Sequence, residues 1–231
     1  MKHFYDKIKG AKMTLRCLRE GNELLEAQDT EAKDFDGQWL IESKDLRWSF
    51  PMVARAIRYR QLKLTVYEPQ KAEVFCGMQG DYIDRDYCEE NKIEVVPFPT
   101  QGGATAVNKG DLMFIFVIPN KKGRYQFLEH VMPAIAAYIL QHSPPETTVE
   151  IKGNDIEVNG KKILGSSTAH KMGVVIESFF ISGVNGKKNL DAIGHKSKKR
   201  EVTSLKELGI NTQEFKNWLI DLIGRALNER H

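Results

Sequence analysis

GNDIEVNGKKILG, residues 153–165, packs two tight reversals into one short segment. Asn159-Gly160 lies between two runs with β-like alternation and is a strong hairpin signal, because both central residues of a type I′ turn need positive φ. Gly153-Asn154 supplies a second reversal just upstream. The region from Thr147 to Gly165 therefore reads as a three-stranded antiparallel meander, with strands over Thr147–Ile151, Ile156–Val158 and Lys162–Leu164.

Working outward, further short runs rich in Val, Ile, Phe or Tyr fall at Leu62–Tyr67, Glu73–Cys76, Ile93–Phe98, Leu112–Ile118 and Val174–Ser182. Helical spacing of apolar residues appears weakly over Gly21–Ala32, with Leu24, Leu25 and Ala27 on one side. It is clearer over Phe127–Gln141, with Val131, Ile135, Tyr138 and Ile139. The last segment, Asn211–Asn228, places Phe215, Trp218, Leu219 and Leu222 on one face, with Thr212 as its expected cap. The pattern predicts an α+β fold, a mixed, largely antiparallel sheet with flanking helices. No repeat or Ser/Gly/Pro-rich linker divides the chain, so residues 1–231 are expected to form a single domain.

Composition narrows the function. Hydrophobic residues make up 41% and charged residues 28% of the 231 positions, ordinary values for a globular protein. The longest apolar run, Val131–Leu140, is too short to cross a bilayer, and the N-terminus lacks the apolar core of a leader, so a cytoplasmic setting without a membrane span is expected. Cys17, Cys76 and Cys88 form neither a disulfide framework nor a paired metal motif, which fits reduced thiols. A net charge of +3 does not argue for nucleic acid. Lysines and arginines do cluster over Lys187–Arg200, as a solvated loop or a surface for an anionic partner.

Two local features carry chemistry. Gly102 and Gly103 stand between two predicted strands and fit either a plain turn or a loop that a ligand can approach closely. Lys162, at the start of a strand that is read as ending in Gly165, fits either a solvated surface lysine or an ammonium aimed at a phosphate or carboxylate.

Three stretches in order resemble the biotin/lipoate protein ligase family, and its lipoate branch more closely. AEVFCGMQGDYIDRDYCEENKIEVVPFPTQGGATAV, residues 72–107, is similar to the family's strand, glycine-x-Gln, helix, strand and glycine-rich loop. GNDIEVNGKKILG resembles its Asn-Asp plus Lys-Ile-x-Gly block, and KKREVTSLKELGI, residues 198–210, resembles its Arg-Val-Thr-x-Leu stretch. The resemblance implies the catalytic-domain fold of that family. It also implies a reaction in which ATP activates lipoate, octanoate or a related small carboxylic acid to an acyl-adenylate, whose acyl group passes to a lysine on an acidic carrier domain.

By the same resemblance Lys162 is the catalytic residue, neutralising charge as the mixed anhydride forms. Gln79, Gly102, Gly103, Ala104, Gly165 and Ser166 would bind the acid and nucleotide, and Asn154 and Asp155 would help place magnesium and the phosphates. No accessory C-terminal domain is expected within 231 residues, so an accessory protein is a possible partner. The block is followed by Ser166, Ser167, Thr168 and His170 and contains no cysteine, which favours adenylation over the acyl-cysteine route of the family's transferases. Cys76 is expected to be structural, and His170 and His195 to be solvated near basic or polar loops.

The chain departs from the family in three places. Phe98-Pro-Thr-Gln101 stands where relatives carry arginine before the glycine loop, Val107-Asn108 where a histidine often follows it, and Glu177-Ser178 in place of His-Gly. A replacement guanidinium from Arg47, Arg55 or Arg58, or a ligase-fold module that binds without turnover, are the readings these departures motivate.

Overall fold

The computed structural model describes residues 40–43, 63–77, 83–98, 103–118, 130–171, 174–184, 192–193 and 201–228. The expected helix over Gly21–Ala32, and Arg47, Trp48, Arg55, Arg58, Gln79, Gly102 and His195, lie outside them. Of the basic stretch Lys187–Arg200 only Ala192 and Ile193 are described.

The large sheet has seven strands: β1 (Leu40–Ser43), β2 (Lys63–Tyr67), β6 (Leu112–Ile118), β10 (Val174–Ile181), β9 (Lys161–Lys171), β8 (Asp155–Val158) and β7 (Val149–Lys152), in that spatial order. The β1–β2 pair is parallel and the others are antiparallel, so the mixed, largely antiparallel expectation is met. A second sheet of three strands holds β3 (Glu73–Cys76) between β4 (Glu94–Pro97), parallel to it, and β5 (Ala104–Val107), antiparallel. Helix α1 (Arg85–Glu90) joins β3 to β4; α2 (Met132–His142) follows β6, and α3 (Thr212–Asn228) closes the described chain.

Period-two alternation divides the large sheet between two cores. Along β10, Phe179 and Ile181 face α2 and α3, where Leu64, Phe114, Ile135, Ile139, Phe215 and Leu219 join them. Ile176 and Phe180 face the small sheet and pack with Tyr67, Phe75, Phe98 and Ile115. The outer face of the small sheet is closed by α1 and by Ala192, which buries itself against Val74, Cys88 and Ile93 and accepts a hydrogen bond from Asp84 N at 2.9 Å. Burial there pushes the Cys88 thiol above its ordinary pKa, which leaves it a packing residue.

The 147–165 meander forms as predicted, and Asn159 (φ 50°) and Gly160 (φ 76°) both adopt the positive φ its turn requires. Two expectations are corrected. The third strand does not end at Gly165 but runs to Lys171, because β10 offers pairing partners along that whole length. His170, on this extension of β9, is exposed, in keeping with the expected solvated histidine. The cap of α3 is Asn211, whose Oδ1 accepts from Gln213 N at 2.9 Å and Glu214 N at 3.1 Å, and Thr212 is already helical.

Two buried ionic features tie distant elements together. Lys216 of α3 donates to Glu42 at 2.7 Å and Glu68 at 2.8 Å, clamping the helix to the β1 and β2 end of the sheet. Burial opposes its charge, but the two carboxylates outweigh that and raise its pKa.

Asp111, 5% exposed, accepts from Asn108 N through Oδ2 at 2.8 Å and from Gly183 N through Oδ1 at 2.9 Å, joining the β5–β6 turn to the end of β10. Burial raises its pKa to about 6 against these hydrogen bonds. The folded state thus holds this proton more tightly than the unfolded chain, so the site's contribution to stability is largest below pH 4 and falls as pH rises to 6. Urea unfolding should show the wild type losing roughly 3 kcal/mol relative to Asp111→Asn between pH 4 and 7. Parallel pH profiles for the two proteins would contradict this.

Candidate functional site

The site is built where the two sheets meet. A β-bulge shapes its charged side. Between β8 and β9 the register steps from Ile156↔Leu164 to Glu157↔Lys162, so Ile163 is an extra residue in β9. In a regular strand residues 162 and 165 would face opposite sides; the bulge brings them to one face, the side turned to the small sheet. Ile163 and Leu164 are both buried in the helix-side core as a result.

The Lys162 side chain lies across Gly165. A Cβ on residue 165 would stand 2.6 Å from both Cε and Nζ of Lys162, so glycine is what leaves the ammonium its path. Nζ makes an ion pair with Asp155 Oδ1 at 2.8 Å, and Asp155 is the cross-strand partner of Gly165. The Lys162 backbone is held by the 201–203 segment: its N–H donates to Glu201 O and its carbonyl accepts from Thr203 N, each at 2.9 Å. Val202 and Thr203 belong to the Arg-Val-Thr block, so two motifs distant in sequence meet at one residue.

Opposite stands the small sheet. Gly77 N donates to Gly103 O at 2.8 Å, fixing the end of the glycine loop beside β3. Between the sheets a cavity of about 130 Å³ is lined by backbone and small residues of these segments, Gly77, Gly103, Ala104 and Thr105, and by Lys162, Gly165, Ser166 and Ser167. Its apolar wall is aromatic. Phe75 contacts Phe98 edge-on at 5.7 Å between centroids and Phe180 at 5.2 Å, and Phe98 and Phe180 are 6.4 Å apart.

Of the expected ligand residues, Gly103, Ala104, Gly165, Ser166 and Lys162 come together around this cavity. Ser166 reaches the cavity through its backbone: as the cross-strand partner of Phe179 it turns its side chain to the helix side, where Oγ is buried and makes no hydrogen bond among the described residues. Asn154 and Asp155 are not among its lining residues. Asp155 reaches it through Lys162, while the Asn154 carbonyl accepts from Ser166 N at 2.8 Å and seats the β7–β8 turn against β9. Cys76 alternates with Phe75 along β3 and is not part of the lining.

Phe75, Phe180, Thr105 and Ser167 were not anticipated from sequence. The only signal was their period-two placement on strands flanking the glycine and lysine blocks, which gives a face but not the sheet opposite. Phe98 stands where the sequence departs from the family's arginine, and the structure makes it part of the aromatic wall. Among the described residues no group of three His, Cys, Asp or Glu side chains forms a metal cage.

A two-sheet α+β domain with a glycine loop facing a bulge-mounted lysine defines the class, and comparisons with known proteins give the family. Residues 55–223 match the family described as the lipoyl protein ligase A/B catalytic domain, and the chain belongs to it. Lipoate–protein ligase 2 of Staphylococcus aureus is 28% identical over 160 residues, covering 61% of this chain. The match spans 46% of that relative, about half its length. Among solved structures, Plasmodium falciparum LipL1 in complex with lipoate superposes with a TM-score of 0.67 at 16% identity, covering 83% of this chain and 62% of that one. A lipoate-protein ligase A bound with ATP gives 0.64 at 20% identity, covering 82% and 85%. At such identities these likenesses speak for the fold, and they agree with the lipoate-branch architecture. No described helix is long and apolar enough to cross a membrane.

Proposed function

We propose that the chain activates a small aliphatic carboxylic acid of the lipoate or octanoate type with ATP and transfers it to a lysine on an acidic carrier domain. The observation that carries this reading is the cavity itself: an aromatic wall suited to an alkyl chain, with Lys162 as the only charged residue in the described lining. The relatives' lipoate and ATP support the same pairing of ligands. The described side chains leave this cavity unfilled, which gives a ligand room in either reading; pyrophosphate release is what separates catalysis from binding without turnover.

In this reading the acid's carboxylate oxygen attacks the α-phosphorus of ATP, and pyrophosphate leaves. The carrier lysine's amine then attacks the acyl carbon of the mixed anhydride, expelling AMP. Lys162 sits where its ammonium can neutralise the carboxylate and α-phosphate as charge shifts between them. Backbone groups near Gly103 and the hydroxyls of Thr105 and Ser167, which line the cavity, would contact the same ligands. Magnesium would be held by Asp155 and Asn154 with nucleotide phosphates, in keeping with a cation that takes one or two carboxylates and leaves the rest of its shell to substrate and water. When bound, it would supply neutralisation of phosphate charge. A cytoplasmic location and an accessory protein partner accompany the proposal.

The purified protein supplied with ATP, magnesium and lipoate or octanoate should release pyrophosphate and yield an acyl-adenylate by mass spectrometry. Absence of both, with no calorimetric binding of either ligand, would rule the proposal out. Gly165→Ala separates site geometry from folding. The clash is with the far end of a flexible side chain, so stability should change by less than about 1 kcal/mol, while displacement of the ammonium lowers kcat/KM roughly tenfold to a hundredfold. An unchanged kcat/KM would show that the path over Gly165 is not the working position of Lys162.

A further inference from the structure

β7 ends the large sheet, and nothing among the described strands pairs with its outer edge. The two large apolar side chains that stand exposed in the described structure, Leu140 (52%) and Ile151 (42%), both belong to this side of the molecule, because α2 packs beside β7. Helix α2 carries no charge along Met132–Gln141, and its exposed positions there are Pro133, Ala137, Leu140 and Gln141, with His142 following. A helix turned to water ordinarily presents a charged face.

The backbone of β7 shows which groups the open edge offers. Asn159 N donates to Thr148 O, so Thr148 points its polar groups inward to β8. The alternation of an antiparallel ladder then turns the N–H and C=O of Val149 and Ile151 outward. Charges on an edge strand oppose pairing with an arbitrary partner, and so make pairing selective for a strand of complementary charge. β7 carries Glu150 and Lys152, opposite in sign and placed symmetrically on either side of Ile151; within the chain Lys152 pairs with Glu150 at 2.9 Å and Glu157 at 2.6 Å.

We propose that this edge is a self-association surface whose occupant is a second copy of the chain. In antiparallel pairing about a two-fold axis at Ile151, Ile151 faces Ile151 of the second copy and exchanges both backbone hydrogen bonds with it. Glu150 then lies opposite Lys152 of the second copy, and Lys152 opposite its Glu150, so the charges that would repel a like-signed edge attract here. The uncharged faces of the two α2 helices come together above the joined sheets and cover Leu140.

The symmetry gives a specific test. Glu150→Lys sets two lysine pairs against each other in a homodimer, and Lys152→Glu sets two glutamate pairs; each should weaken self-association by roughly tenfold or more in sedimentation velocity. An equimolar mixture of the two variants restores every cross-strand pair and should form a heterodimer, read by native mass spectrometry, at least as tight as the wild-type dimer. Ile151→Asp, at an exposed position, should give a folded monomer. A wild-type chain that stays monomeric to about 100 μM, or a dimer indifferent to all three substitutions, overturns the proposal. So does a mixture that associates no better than its components.

Discussion

Lys162→Ala is expected to reduce acid-dependent pyrophosphate release by a factor on the order of a hundred to a thousand, equivalent to about 3–4 kcal/mol of lost transition-state stabilisation. The reason is geometric. Lys162 is the one charged residue lining the described cavity, and its ammonium is held at 2.8 Å from Asp155 in a groove kept open by Gly165. The substitution leaves the backbone bonds to Glu201 and Thr203 intact, so the variant should fold. Asp155, its side chain 17% exposed, loses an ion-pair partner, so some loss of stability should accompany the change without preventing folding. Lys162→Arg should not rescue activity, because the path over Gly165 suits a narrow methylene chain and not a planar fork. Single-turnover assays with lipoate and ATP, run beside thermal unfolding, would separate the two effects. A variant that retains full adenylation would move the proposed chemistry to other residues.

Gly183→Ala should be the most damaging small substitution to the fold. A Cβ there would stand 1.8 Å from the Gly110 carbonyl oxygen and 2.9 Å from its carbon, both backbone atoms that cannot swing aside. Gly110 itself has φ 96°, and a Cβ there would stand 1.8 Å from Val184 Cγ2, so neither segment leaves room for a side chain at its glycine. Forcing them apart also pulls Gly183 N from Asp111, leaving a buried carboxylate short of a donor. The expected loss is about 3 kcal/mol, or a fall in Tm on the order of 10 °C. Urea unfolding monitored by circular dichroism would measure it, and a change below about 0.5 kcal/mol would mean that the contact relaxes without cost.

Some features of this protein follow from local sequence. The Asn159-Gly160 hairpin is one, since its turn demands positive φ and the sequence supplies residues that accept it. Strands β3 and β6 fall at their expected bounds because each is a β-branched and aromatic run closed by turn residues. The final helix follows from its apolar spacing, although Asn211 and not Thr212 caps it, a choice between neighbours that only side-chain geometry makes.

Other features exist only through pairing. β5, reading ATAV, is short and half alanine, too little to stand out as a strand, and is one because β3 offers it a ladder. β1 is likewise set by its parallel pairing with β2. The length of β9 beyond Gly165 is set by β10.

The site divides in the same way. Gly103, Ala104, Lys162, Gly165 and Ser166 were readable as residue types in an ordered family pattern, and they do meet. That Lys162 and Gly165 share a face was not readable, because strand periodicity alone separates them and the Ile163 bulge reverses that. The aromatic wall of Phe75, Phe98 and Phe180 draws on three strands from two sheets, and no local rule relates residues so far apart in sequence. Sequence by itself determined which residues could turn, alternate and carry charge. Tertiary structure decided which of them face one another, because side-chain direction in a sheet depends on register, and register is settled by the partner strand.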